Sequence, residues 1–127
     1  MVEFVIILPA LFLVLFATME VSRLWLTISV VSEAAREGAR AGSLTSPFVD
    51  NPTGAISNII NVLAAANLST SSTHTVTCAG GCAAGSGGAV TSTVSVPFNT
   101  PIPLLVPLFG GSSGLTVSRT SQMRYEF

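Results

Sequence analysis

VEFVIILPALFLVLFATMEVSRLWLTISVVSEAAREGARAG, residues 2–42, decides the fold. Residues 4–19 pass without a single charge. As a helix this run spans roughly 24 Å, slightly short of the about 30 Å hydrocarbon core of a bilayer. The apolar pattern resumes after Arg23 with Leu24, Trp25 and Leu26 and continues through residues 28–31. One helix over residues 2–43 is therefore expected to cross a membrane and project beyond it. A cleaved secretory signal needs a basic leading region and a break after the apolar run. Here Glu3 stands at the start, no base precedes it, and the helical pattern continues past Arg40. A retained helix is expected, with any basic leader already removed.

Three features of this helix point to packing against neighbours. Pro9 removes a backbone donor and crowds the preceding turn, which predicts a kink or local unwinding over residues 5–8 and a freed carbonyl that a packed neighbour could satisfy. Glu20 and Arg23 are three apart and face the same side. They read equally well as a membrane-boundary pair, with Trp25 as interfacial anchor, or as a salt bridge between subunits. Ala34, Gly38 and Gly42 repeat every four residues, a small-residue stripe that lets another backbone approach closely, whether that of the chain's own domain or of a neighbour. Ala35 and Ala39 widen it, Glu33 and Arg36 form a plausible pair on the polar remainder, and Gly42 is a reasonable helix stop.

Beyond residue 43 the composition changes. Asn51 and Pro52 read as cap and first residue of a short helix ending near Asn67, with Ile56, Ile59, Ile60, Leu63 and Ala64 on one face. Residues 73–78, 90–98 and 115–123 alternate as strands. The Gly/Ser-rich stretch between the first two suits a hairpin. Residues 101–109 (PIPLLVPLF) carry too many prolines for helix or central strand, and their apolar side chains are expected to cover the sheet or meet a neighbour.

Composition narrows the function. The chain of 127 residues is 49% hydrophobic and 9% charged, against about 25% charged in soluble domains, so it needs lipid or other subunits as its solvent. Its net charge is −1, and its five basic residues are scattered arginines, which excludes a phosphate-neutralising stripe and hence nucleic-acid binding. Catalytic signatures are missing: no phosphate loop, paired-acid motif or metal signature is present. Five of the six acids lie within the first 50 residues, far in sequence from His74. His74 reads as a surface histidine. Cys78 and Cys82, separated by Ala-Gly-Gly, are read as a disulfide in an exported domain, ahead of two free thiols or a metal site shared with His74. Asn67-Leu68-Ser69 matches a glycosylation sequon and marks an exposed loop. Glu3 is the sharpest feature. A carboxylate at lipid depth calls for a cation at the same depth, such as the N-terminal amine of a neighbouring subunit, or else for a place among the headgroups.

These residues resemble the TadE-like family of pseudopilins. The resemblance rests on Val2-Glu3-Phe4, Leu8-Pro9 with the apolar run after it, Met19-Glu20, Arg23-Leu24 and EAAREGAR at residues 33–40. It is strong over residues 2–42 and loose over 90–125. It implies processing by a prepilin peptidase, residence in the inner membrane, and a role with tight-adherence pili. Glu3 would then match the acid that follows the cleavage site, which such pilins carry at the fifth mature position.

The expected protein is α+β. A long kinked hydrophobic helix (residues 1–43) carries a small exported head (44–127) with one short helix and a three-stranded antiparallel sheet. The expected function is a pilin-like subunit that polymerises through that helix into a surface filament, with Glu3, Pro9, Glu20, Arg23, Ala34, Gly38 and Gly42 as assembly residues. Each large apolar side chain buried in a helix bundle would contribute about 1.5–3 kcal/mol. No catalysis, cofactor or metal is expected. Assembly would be driven by pilus machinery, from the inner membrane to the cell surface. Two alternatives remain: a minor or initiating pseudopilin kept in the membrane, and a membrane-anchored adhesin-type binding module.

Overall fold

The computed structural model describes residues 2–83, 87–99 and 115–125, without the side chains of Val2 and Glu3. The proline-rich link at 101–109 falls outside the described residues. Helix α1 runs over Val2–Ser43, helix α2 over Thr53–Ala65, and a 3-10 turn over Ser69–Ser71. Strands β1 (Thr73–Ala79), β2 (Ala89–Phe98) and β3 (Leu115–Arg124) follow. They form one antiparallel sheet in the order β1-β2-β3. This is the α+β architecture expected from the sequence.

Helix α1 is continuous through Pro9, so the expected unwinding over residues 5–8 does not occur. Proline leaves the Val5 carbonyl without its usual i+4 donor, and the helix carries on around that gap. Along the exposed side of the helix, from Thr18 to Ser29, hydroxyls are satisfied inside the helix. Thr18 donates to the Leu15 carbonyl (2.8 Å), Ser22 to Thr18 (2.9 Å) and Ser29 to Trp25 (3.1 Å). That is the arrangement lipid demands of a polar side chain. At the C-terminal end, Ser43 donates to the Arg40 carbonyl and Thr45 to that of Ala41, which occupies carbonyls the last turn leaves open.

From Glu20 onward one stripe of α1 is buried: Glu20, Thr27, Val31, Ala34, Ala35, Gly38, Ala39 and Gly42. It lies across α2 and the inner face of the sheet. Strand β2 alternates most clearly. Val90, Ser92, Val94, Val96 and Phe98 of β2 point inward, beside Val76 of β1 and Val117 of β3. Thr91, Thr93 and Ser95 point outward. Gly38 leaves no room for a side chain between α1, the sheet and α2. A Cβ there would lie 2.5 Å from Ser92 Oγ and 2.6 Å from Ile59 Cδ1. A Cβ on Gly42 would meet Val90 and Val76 at 2.9 and 3.0 Å. Gly42 thus serves close packing, and the helix passes it to end at Ser43.

Two local expectations are corrected. Asn51 does not cap α2. It takes a left-handed conformation (φ 55°) and pairs with the edge of β1, its N–H donating to the Val76 carbonyl and its Oδ1 accepting from the Val76 N–H, both at 2.8 Å. Pro52 takes the cap position instead. The face of α2 is also rotated. Ala55, Ile59 and Leu63 are buried, while Ile60 and Ala64 are exposed and Ile56 half-buried. Ala55 suits the small-residue surface of α1 better than a larger side chain would. The end of α2 is a Schellman motif. Asn67 is left-handed (φ 57°), Leu68 N–H reaches the Leu63 carbonyl (2.9 Å) and Asn67 N–H that of Ala64 (3.0 Å). Asn67 therefore has a structural role whether or not the sequon is used.

The far end of the head is closed by Tyr125. Its hydroxyl donates to the Thr45 carbonyl (3.1 Å), and its ring meets Phe48 edge-on at 6.2 Å. The Cys78–Cys82 disulfide staples the β1–β2 turn, with Cα atoms 6.0 Å apart. Gly80 and Gly81 take positive φ (88° and 82°), which lets so short a ring close.

Candidate assembly surface

The first half of α1 is apolar and uncovered by the head. Phe4, Ile6, Leu11, Phe12, Leu13, Leu15 and Phe16 are all exposed, and so are Val21, Trp25 and Leu26 further on. The helix holds an 18-residue window of mean hydropathy 2.5, of which 6% is buried. By length and composition it is able to cross a membrane. Phe12 and Phe16 stack along it at 6.3 Å.

The boundary between this exposed half and the buried half is built from two charges. Glu20 starts the inward stripe, and its side chain is 8% exposed. Arg23, one turn on, reaches back to Glu20 Oε1 at 3.3 Å and lies 6.0 Å above the Phe98 ring. The arginine is thus clamped between an acid on its own helix and an aromatic ring at the end of β2. Glu20 Oε2 is buried with no hydrogen-bond partner among the described residues. Phe98 was not identifiable from the sequence as part of this site, because nothing local in β2 shows that it lies under Arg23.

A crevice of about 300 Å³ opens beside the clamp, where Arg23 and Thr27 of α1 face Asn67 and Ser71 of the α2–β1 connection and Phe98 of β2. It lies at the base of the head, next to the exposed apolar half.

The structure sorts the sequence-predicted assembly residues into three groups. Glu20 and Arg23 are joined, within one chain. Pro9 is exposed on the apolar half, and Glu3 lies in α1 ahead of it. Ala34, Gly38 and Gly42 are buried against the chain's own sheet and α2, so a neighbouring subunit does not reach them. For these three the close-approach stripe is real, but its partner is the head itself. The ion pair on the polar remainder of α1 is Glu37–Arg40 (3.5 Å) rather than Glu33–Arg36 among the described residues, and Asn58 of α2 donates to Glu37 (3.3 Å).

Elsewhere the chemistry is sparse. The disulfide removes both thiolates from any metal site with His74, and among the described residues no cluster of His, Cys, Asp and Glu could hold a metal. His74 is half-buried on β1, its Nδ1 without a partner among the described residues.

No curated protein and no solved structure matches the chain. Residues 1–40 match the family model described as TadE-like protein. That match covers the exposed apolar half of α1, the Glu20–Arg23 clamp and the start of the buried stripe, and it agrees with the residues that carried the resemblance. Over residues 1–40 the chain is therefore similar to TadE-like proteins, and the long apolar helix that carries the similarity fits membrane anchoring.

Proposed function

We propose that this chain is a structural pilin-like subunit whose α1 anchors it in the inner membrane and then packs with copies of itself in the core of an extracellular filament. The observation that carries this reading is the division of α1. Its second half is consumed by the head, while the first half presents large apolar side chains on all sides with nothing from the head to cover them.

Lipid changes the driving force for assembly. In lipid those side chains already avoid water, so moving them into a filament core gains close packing rather than another round of hydrophobic burial. The about 1.5–3 kcal/mol per side chain applies to the contrast with water, and so to the permanence of a filament once it has left the membrane. Extraction itself must be powered by other components. Glu3 pairs with the N-terminal amine of a neighbouring subunit in this reading, which sets the stagger between helices. Prepilin peptidase and the assembly machinery are the expected partners. The chain carries no catalytic step: five of its six acids lie within the first 50 residues, and its single histidine is on β1.

The test is electron microscopy of fibres sheared from cells, with mass spectrometry of the same fraction. This chain is expected to dominate the fibres. Scarcity in the fibres combined with abundance in the inner membrane would overturn the structural-subunit reading in favour of a minor pseudopilin or an anchored binding module. Within the same assay, Glu3→Ala is expected to reduce fibre yield while the head stays folded, and an unchanged yield would refute the pairing.

A further inference from the structure

The crevice at the base of the head sits at a definite depth along α1. Arg23 lies 19 residues beyond Phe4, about 28 Å up the helix, close to the about 30 Å hydrocarbon core of a bilayer. With the apolar half in lipid, the crevice opens at the level of the headgroups. Trp25, 72% exposed, stands at that same level, where an indole ring is favoured. Thr27, Asn67, Thr70 and Ser71 give the lining its uncharged polar groups, and Arg23 is the one charged residue in the described lining. The arginine is already held in place. Its Nη1 donates to Glu20 at 3.3 Å, and its guanidinium carbon lies 6.0 Å from the centre of the Phe98 ring. Its side chain stays 46% exposed, and Nη2 and Nε have no partner among the described residues. Phe16 and Phe12 precede Arg23 by seven and eleven residues, which places them below it on the same helix face. Both are exposed, and their rings stack at 6.3 Å.

We propose that this crevice binds the phosphodiester of one membrane glycerophospholipid, whose acyl chain lies along Phe16 and Phe12. A guanidinium fork matches phosphate oxygens two at a time, and the Nη2–Nε edge of Arg23 is the edge that Glu20 leaves open. Glu20 is buried, with its side chain 8% exposed, and is not part of the described lining. It holds the arginine from behind without facing the crevice. An arginine fixed by an acid and a ring loses little freedom when a ligand arrives. A phosphodiester accepts hydrogen bonds, and Thr70, Ser71 and Asn67 add donors around the cation. The volume of about 300 Å³ is that of a small-ligand site. Depth and shape select the source. Free phosphate would meet the same cation and leave the aromatic pair uncovered, whereas a lipid occupies both at once. The proposal rests on α1 being a membrane anchor and is independent of filament formation, because a membrane-held monomer presents the same crevice.

The test is native mass spectrometry of the full chain in detergent micelles, titrated with dioleoyl phosphatidylglycerol or with dioleoylglycerol, which has the same chains and no phosphate. Wild type is expected to retain one phosphatidylglycerol and no dioleoylglycerol, and excess inorganic phosphate should not displace the lipid. Arg23→Gln is expected to weaken retention at least about tenfold, the worth of a charge-assisted bond. Ser71→Phe fills the crevice from an exposed position and keeps the Glu20–Arg23 pair, so it should weaken retention as well even if Arg23→Gln loosens the head. Arg36→Gln removes an exposed charge of the same helix away from the crevice and should retain lipid as wild type does. Equal retention of dioleoylglycerol, displacement by inorganic phosphate, undiminished retention in Ser71→Phe, or loss in Arg36→Gln would each overturn the proposal. Retention is read without fibres, so its failure leaves the filament reading standing, and a failed fibre assay leaves the lipid site standing.

Discussion

Between residues 4 and 19, α1 displays Phe, Ile, Leu and Val side chains to its surroundings (Phe4 is 69% exposed, Leu13 52%); between residues 31 and 42, it buries Val, Ala and Gly. Hydropathy alone would assign the larger side chains to the core. Size explains the reverse. A helix packed across a sheet and a second helix needs small residues at the closest points, and Gly38 sits where no Cβ fits. A helix facing lipid has no such constraint and gains from bulk. One uninterrupted helix thus serves two solvents, and the Glu20–Arg23 clamp marks the change between them.

Four measurements put this contrast at risk. The largest expected effect is that of Gly38→Leu. Its side chain would overlap Ser92 and Ile59, and the head should lose about 3 kcal/mol or more, seen as lost hydrogen-exchange protection at the Val76 and Val94 amides. Next is Leu13→Arg in the exposed half. It should raise the cost of membrane insertion by about 3 kcal/mol, read as increased release of the chain on alkaline extraction of membranes. The same variant should shift head stability by no more than about 0.5 kcal/mol. If instead Leu13→Arg unfolds the head, the two halves are not independent.

A smaller effect is expected from the turn. Reduction of Cys78–Cys82 should lower head stability by about 2 kcal/mol, measured by denaturant titration with and without reductant, because the closed loop is so short. The smallest concerns Asn51. Asn51→Gly should lose about 1 kcal/mol, from the side-chain bond to the Val76 N–H. Asn51→Ala should lose roughly 1 kcal/mol more, because alanine resists the left-handed conformation that glycine accepts. Equal losses in the two variants would show that the backbone there is not strained.

Elements with a strong period are legible from the residues alone. The strands expected at 73–78, 90–98 and 115–123 lie within one residue of β1, β2 and β3 at each end, because alternation of Val with Thr and Ser is a local signal. Helix α1 is legible for the same reason. The face of α2 is not. The expected face of Ile56, Ile59, Ile60, Leu63 and Ala64 shares Ile59 and Leu63 with the docked side, which Ala55 completes in place of the other three. Which side docks depends on the shape of α1 opposite, and no window within α2 contains that. Asn51 misleads likewise. Asn before Pro reads as a cap, but its partner is Val76, 25 residues further along.

The candidate site divides in the same way. Glu20 and Arg23 are neighbours on one helix turn, so their pairing follows from spacing. The Phe98 ring beneath Arg23 comes from a strand 75 residues away and is brought there only by folding. The small-residue stripe is visible as a place of close approach, while the identity of the approaching surface is not.

Composition and short-range period were enough to specify the membrane-length apolar helix, the three alternating strands and the low charge. These signals act before any long-range contact forms. Folding in three dimensions settled the rest: Ala34, Gly38 and Gly42 face the chain's own sheet and α2, Asn51 binds the edge of β1, and the threonines and serines of three strands fall into register on the outer face of the sheet. Each of these depends on which residues distant in sequence are brought within a few ångströms, and packing, not local preference, makes that choice.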